Sequence, residues 1–372
     1  MKLLFLEERP RFVGGSERMS LAICQHAIRR GHRAWLAHAE AGDMIAAYDA
    51  AGAMTCHSPI VPMAARRPRE AWHSLSQLRT LVTREQIDIV FTSQVSYVSL
   101  LAALGVWTGV QTVVHLGVVY DFPSPLFRTS MRRVSLGVTP SAHTAEGWKE
   151  RDWPAARLKV IANGVDTHTF FPDGSRDAAR RNLGLSGTSN PLVVYIGRLV
   201  VEKGIFTLLR AFARLRGNHR GRLLLVGHAP ADEVARLRAC ARDEGLGEDA
   251  WEVRAPTANP ELVYRAADLV VVPSEWDEPF GLAPLEAMAC GTPVVVSDRG
   301  VLPRLVAPVG EPAVFPSGDV VRLAERLTYW LEDEPRRASA GAQLMAHVRA
   351  NYAFDACGDA YLDAFASLTH AA

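Results

Sequence analysis

The 372-residue chain reads as an α/β protein made of two doubly wound, Rossmann-like domains. Three observations predict this. Short apolar runs alternate with longer helical patterns almost throughout, which is the grammar of parallel strands joined by crossover helices. The alternation breaks at Asn163-Gly164-Val165-Asp166 and Pro172-Asp173-Gly174-Ser175, a turn-rich seam, and then restarts. The length also exceeds what one ordinary core serves and suits two domains of about 150 to 200 residues each.

In the first block, strands are expected at Lys2 to Leu6, Ala34 to Ala37, Ile87 to Thr92, Thr112 to His115 and Leu136 to Thr139. Between the first two, Ser16 to Arg30 places Met19, Ile23 and Ala27 at helical spacing and stops at Gly31, a usual glycine terminator. After the seam the strands are Leu192 to Ile196, Arg222 to Val226, Trp251 to Val253, Leu269 to Val272 and Val294 to Ser297. A helix from Ile205 to Arg216 follows the first of these. Another opens at Pro284, suited to a first helical position, and is ended by Gly291 and Pro293. No solenoid-type repeat and no low-complexity segment is evident.

Hydrophobic residues make up 48% of the chain and charged ones 22%, the balance of a folded globular protein rather than a disordered one. No apolar run approaches the roughly 20 residues that cross a bilayer. The start, Met1-Lys2-Leu3-Leu4-Phe5-Leu6-Glu7-Glu8, is a short strand closed by acids and lacks the longer apolar region of a signal peptide, so a cytoplasmic location is expected. A net charge of +1 argues against a protein that neutralises nucleic-acid phosphates. Residues 1–166 nevertheless hold 19 Lys and Arg against 14 Asp and Glu, a mildly basic half that favours an anionic acceptor or membrane surface. Cys24, Cys56, Cys240, Cys290 and Cys357 are dispersed and read as buried reduced thiols.

The densest chemistry lies in Pro273-Ser274-Glu275-Trp276-Asp277-Glu278-Pro279-Phe280-Gly281-Leu282-Ala283-Pro284-Leu285-Glu286. Glu278 falls on a strand-to-helix loop and Glu286 in the first turn of the helix. Backbone N–H groups at Phe280, Gly281 and Leu282 would face out of that helix start, where unpaired donors make an anion site. A capping box would need Ser or Thr three residues before Glu286, and Ala283 stands there. A plain dipole role suits Glu286 but explains neither Glu278 nor the glycine beside it. Upstream, Gly197-Arg198 and Lys203-Gly204 put two cations on the loop leaving a strand's carboxyl end, the usual ligand position in open α/β sheets.

These segments resemble the Glu-x7-Glu and Gly-Arg-x4-Lys-Gly motifs of glycosyltransferase family 4, the group 1 retaining glycosyltransferases. The resemblance implies the GT-B fold, with two Rossmann-like domains facing a cleft. It also implies that Arg198 and Lys203 hold the donor phosphates, that Glu278 contacts the sugar, and that Glu286 binds the nucleotide ribose. Gly14-Gly15-Ser16-Glu17 is similar to the family's Gly-Gly-x-Glu loop facing the donor, with Ser16 free to cap the helix that follows. His115, at the end of an apolar strand, matches a histidine often found there close to the transferred sugar. The following Leu116-Gly117-Val118-Val119-Tyr120-Asp121 is looser than in relatives, which often place an aspartate next. Asn163-Gly164-Val165-Asp166 resembles the segment that opens the interdomain region, and the tail from Asn351 to Leu368 resembles a last helix that returns to the first domain. The expected domains are therefore residues 1–166 with the helix 353–372, and residues 167–352.

Taken together, the expectation is a hexosyltransferase using a nucleotide-diphosphate sugar, UDP being the commonest donor nucleotide in the family. No cofactor is implied, and no metal, since Asp-x-Asp occurs nowhere and the twelve histidines form no zinc spacing. The acceptor stays open among glycolipid, polysaccharide and small-molecule aglycone. An epimerase, a glycoside phosphorylase or a noncatalytic sugar-nucleotide binder on the same fold are the alternatives. Finally, Arg66-Arg67-Pro68-Arg69 beside Trp72 leads into a Leu75, Leu78, Leu81, Val82 stripe. This segment could touch anionic lipid at the membrane periphery, bind an anionic acceptor, or be a charged loop ahead of a core-facing helix.

Overall fold

Parallel pairing organises the protein throughout its computed structural model, which describes residues 1–11, 14–61, 67–122, 124–185, 190–215 and 221–370. The chain forms two units, Met1–Gly164 with Asp355–Ala372, and Val165–Phe354.

The first unit holds seven parallel strands: β1 (Lys2–Glu7), β2 (Arg33–His38), β3 (Met54–His57), β4 (Ile89–Thr92), β5 (Gln111–His115), β6 (Leu136–Thr139) and β7 (Leu158–Val160), in the order β3-β2-β1-β4-β5-β6-β7. Helices cover both faces, so the central strands are buried on both sides and read as continuous apolar runs. Leu3 pairs with both Ala34 and Ile89, which makes β1 and β4 the neighbours at which the winding direction reverses. β3 and β7 lie at the edges, are half-exposed, and carry polar residues that hid them from an apolar-run search. The C-terminal helix Phe354–His370 packs here, its Tyr361 and Phe365 rings about 6 Å from Phe91 of β4 (6.1 and 6.0 Å).

The second unit holds six more parallel strands: β8 (Leu192–Ile196), β9 (Arg222–Val226), β10 (Trp251–Arg254), β11 (Leu269–Val272), β12 (Val294–Ser297) and the two-residue β13 (Val314–Phe315), in the order β10-β9-β8-β11-β12-β13. Its reversal falls between β8 and β11. A buried cluster beneath the sheet ties the unit's first helix to it: Arg180 donates to Asp268, and the Leu192 N–H bonds the same carboxylate at 2.6 Å. The helix after β8 runs Ile205–Ala213, shorter than expected, and Arg216 lies outside the described residues. Cys24, Cys290 and Cys357 are buried thiols, whereas Cys56 and Cys240 are half-exposed, against the expectation for all five.

Candidate active site

In the second unit the two loops that leave β8 and β11 meet at the reversal point, where open α/β sheets bind ligands. Contact between them is close: a Cβ on Gly204, whose φ is +69°, would stand 1.8 Å from the Pro273 carbonyl oxygen. Only glycine fits there. This contact brings together two of the expected site residues. The Lys203 ammonium donates to Glu278 Oε1 at 2.5 Å, and Ser274 Oγ donates to the same oxygen at 2.9 Å. Both ends of the pair are mostly enclosed, with side chains 16% and 10% exposed. Lys203 also lies 4.8 Å from the centroid of the Trp276 ring. Behind the carboxylate, a Cβ on Gly300 would stand 2.2 Å from the Glu278 carbonyl oxygen, so that backbone is packed glycine against glutamate.

Arg198 is placed differently. Its guanidinium is exposed and faces Glu202 at 3.6 Å, and its carbonyl accepts from the Tyr195 hydroxyl at 2.8 Å. Burial, then the charge of Glu278, hold that phenol far above its ordinary range, so it stays a neutral donor. Gly281, with φ +93°, caps the helix Leu282–Ala289. The Phe280 side chain is buried against Tyr352, which leaves its backbone as the part able to meet a ligand. Glu286, in the first turns of that helix, accepts from the Tyr264 hydroxyl at 2.9 Å. Ser274, Trp276, Tyr264 and Gly300 were missed in the sequence because no motif spacing marks them.

In the first unit the helix begins at Gly15, with Gly14 as its cap, so Ser16 sits inside the first turn and makes no capping bond. The earlier start follows from Gly14, whose extended backbone (φ −152°, ψ −173°) takes the cap position. Ser16 and His115 both pack on Gly117: a Cβ there would lie 3.1 Å from both Ser16 Oγ and His115 Nε2. His115 is fully enclosed, its Nδ1 2.8 Å from the Tyr361 hydroxyl. Burial lowers its pKa to about 4, so the ring is neutral at physiological pH.

A second carboxylate site stands where β1 and β4 part, and no motif announced it. Glu7 ends β1 and is buried, with Ser93 Oγ donating to its Oε1 at 3.1 Å. Burial is the main cause that raises its pKa from 4.5 to about 7, helped by the charge of Glu17 and opposed by Ser20, Ser93 and Gln94. Glu17 itself accepts from Gln94 at 3.5 Å. Among the described residues no group of three or more His, Cys, Asp or Glu side chains could hold a metal ion, and no helix is long and apolar enough to cross a membrane.

Comparison with known families decides the class. The profile of Glycosyltransferase Family 4 matches residues 13–169, and that of Glycosyl transferases group 1 matches residues 175–344. The chain belongs to glycosyltransferase family 4. Among curated relatives, the D-inositol 3-phosphate glycosyltransferase of Mycolicibacterium smegmatis is 40% identical over 192 residues, 50% of this chain and 43% of that protein. The enzyme of that name from Segniliparus rotundus is 36% identical over 214 residues, 56% of this chain and 46% of its own. The chain thus spans about half the length of the curated relatives it matches. Among solved structures, Anabaena HepE in complex with UDP superimposes with a TM-score of 0.84 at 22% identity, covering 99% of this chain and all (100%) of that one. Sucrose-phosphate synthase from Thermosynechococcus elongatus gives 0.81 at 21% identity, with 100% of both chains covered. The fold of this family 4 member is accordingly GT-B, two parallel Rossmann-like sheets flanked by helices.

Proposed function

We propose that this family 4 protein is a retaining hexosyltransferase of the EC 2.4.1 class. It takes its sugar from a nucleotide diphosphate, UDP first among the candidates, and passes it to an acceptor hydroxyl without a bound metal. The observation that carries this reading is the Lys203–Glu278 pair, supported by Ser274, at the meeting of the β8 and β11 loops and beside the helix start at Leu282. A diphosphate there would draw Lys203 from Glu278, because two phosphate charges outweigh one carboxylate at short range. Glu278 is then released to accept from sugar hydroxyls. Arg198, exposed and facing Glu202 at 3.6 Å, would swing onto the same phosphates. Glu286, fixed by Tyr264, would take the ribose.

In the chemical step the bond from the anomeric carbon to the phosphate oxygen breaks and the acceptor oxygen forms its bond on the same face. The acceptor proton leaves to the departing phosphate. Lys203, Arg198 and the N–H groups around Gly281 stabilise the charge that develops on that phosphate, typically the largest catalytic contribution. Solved relatives support the donor choice, since HepE is described in complex with UDP-glucose. The curated relatives' name makes an inositol phosphate the first acceptor to try. The test is to incubate the protein with UDP, GDP and ADP sugars, with and without inositol 3-phosphate and other acceptors, and to measure released nucleotide. Acceptor-dependent release from one donor is expected. Release that ignores every acceptor, or interconversion of the donor sugar, would transfer the protein to the epimerase or phosphorylase class.

A further inference from the structure

One face of the first unit carries features that the proposed chemistry does not use. The helix Pro68–Glu85 buries Leu75, Leu78, Leu81 and Val82, so the expected stripe is core, and Trp72 on its other side is left 60% exposed. Arg66 lies outside the described residues. The next helix, Val98–Thr108, has no charged residue, and its last turn leaves Val106 64% and Trp107 36% exposed. Trp72 and Trp107 stack with ring centroids 5.1 Å apart, and the Arg79 guanidinium lies 4.3 Å from the Trp107 centroid. Two stacked indoles beside an exposed valine form an apolar patch that a surface facing only water has no reason to keep.

Val106 also walls a cavity of about 680 Å³ at the amino-terminal ends of β5 and β6. Arg132, Arg133 and Arg157 line it, together with Gln111 and Ser135. No acidic side chain lines it, and residues 89–120 and 122–145 contain no Asp or Glu at all. Arg157 is fixed by the Val134 carbonyl at 2.9 Å, whereas Arg132 and Arg133 are exposed. Among the described residues none of the three guanidiniums is ion-paired, which leaves them open to an external anion, and guanidinium matches phosphate geometry two bonds at a time. Gln111 opens β5 and His115 closes it, so the cavity is about 13 Å along the strand from the candidate site, at roughly 3.3 Å per residue.

We infer that this face seats the protein on an anionic phospholipid bilayer. Trp72, Trp107 and Val106 enter the headgroup zone, where indole is the favoured side chain, and a lipid phosphate occupies the arginine cavity. A free phosphate would account for the cavity and leave the indoles unexplained. A neutral apolar partner would account for the indoles and leave the arginines uncompensated. The bilayer meets both demands.

Sedimentation of the full chain with phospholipid vesicles tests this. Wild type should partition onto vesicles containing phosphatidylglycerol, should stay in solution with phosphatidylcholine alone, and should be released as salt shortens electrostatic reach. The double substitution Arg132→Gln/Arg133→Gln should weaken partitioning roughly 10- to 30-fold, the effect of two basic residues near an anionic surface. Trp72→Ser and Trp72→Ser/Trp107→Ser should weaken it progressively, with thermal melts checking that each variant is folded. Failure of wild type to bind phosphatidylglycerol vesicles overturns the inference. So does binding by both double variants equal to wild type. A concentration-dependent dimer in sedimentation velocity that Trp72→Ser dissolves, without vesicle binding, would assign the face to a second copy of the chain instead.

Discussion

Removing the Lys203 charge should destabilise the second unit before any substrate is present. Lys203→Met keeps the aliphatic stem and its packing on Trp276 but leaves the Glu278 carboxylate, only 10% exposed, with Ser274 as its remaining donor of the two. Breaking a buried ion pair from one side costs about 3–5 kcal/mol. Both side chains keep a small exposed edge, which places the expected loss near the low end, about 3 kcal/mol. For a unit the size of Val165–Phe354 that corresponds to a melting temperature lower by roughly 6–12 °C. Adding Glu278→Leu to Lys203→Met should recover most of the loss, because the stranded charge goes with it and an apolar pair of similar volume is tolerated. Differential scanning calorimetry on the ligand-free single and double variants measures both numbers. A single variant that melts within about 1 °C of wild type, with no recovery in the double, would falsify the view that these two charges are held against each other.

The remaining predictions separate stability from chemistry. Arg198→Ala should leave the melting temperature almost unchanged, since its pair with Glu202 is exposed, yet slow turnover roughly a hundredfold or more; near-normal turnover removes Arg198 from the phosphate site. Glu286→Ala should mainly weaken binding of the free nucleotide diphosphate in calorimetry, and Glu278→Ala should mainly slow transfer; the reverse pattern exchanges the two roles. Chelation with EDTA should leave activity largely intact, and loss restored by manganese or magnesium counts against cations and a helix start doing a metal's work. Glu7, with its pKa raised from 4.5 to about 7 by burial, keeps its proton in the folded state where the unfolded chain has lost it. Its contribution to stability is therefore complete below about pH 4.5, declines as pH rises to about 7, and by pH 8 has cost about 3 kcal/mol. Glu7→Gln should flatten that slope in urea titrations run from pH 5 to 8, and an unchanged slope assigns it to other groups.

The strands that were legible are those covered on both faces. Phe5 and Val194 are fully buried in central strands whose neighbours are apolar too, so a run of aliphatic residues marks them whatever their partners. Met54-Thr55-Cys56-His57 pairs on one side only and faces water in part, which leaves it without either an apolar run or a clean alternation. β4 shows how a boundary is lost: Ile87 looks like its first residue, but the Ile87 N–H bonds the Val82 carbonyl at 3.0 Å, so Ile87 terminates the preceding helix. Gln86, at φ +53°, makes the turn that a glycine would ordinarily announce.

Candidate site residues could be picked from the sequence by type and not by partner, and sheet order explains why. Lys203 and Glu278 are 75 positions apart, and His115 and Tyr361 are 246 apart; no local spacing encodes such pairs. The order β10-β9-β8-β11-β12-β13 nevertheless forces the loops after β8 and β11 into one crevice. Of the charges those two loops carry, Lys203 on one side and Glu278 on the other meet there, while Arg198 faces Glu202 of its own loop. Applied to the first unit, the same rule selects the carboxyl ends of β1 and β4, where Glu7 closes the one strand and Ser93 with Gln94 follows the other. A motif search passes over Glu7 because one carboxylate at a strand end has no spacing to recognise, and it favours His115, which stands one strand further along on β5. Burial then distinguishes the two groups: it holds His115 neutral throughout physiological pH and brings Glu7 to titrate within it. Among the described buried groups at the carboxyl end of that sheet, Glu7 is therefore one whose charge changes near neutrality, although the motifs of the first unit mark His115 and the Gly14 to Glu17 segment and pass over it.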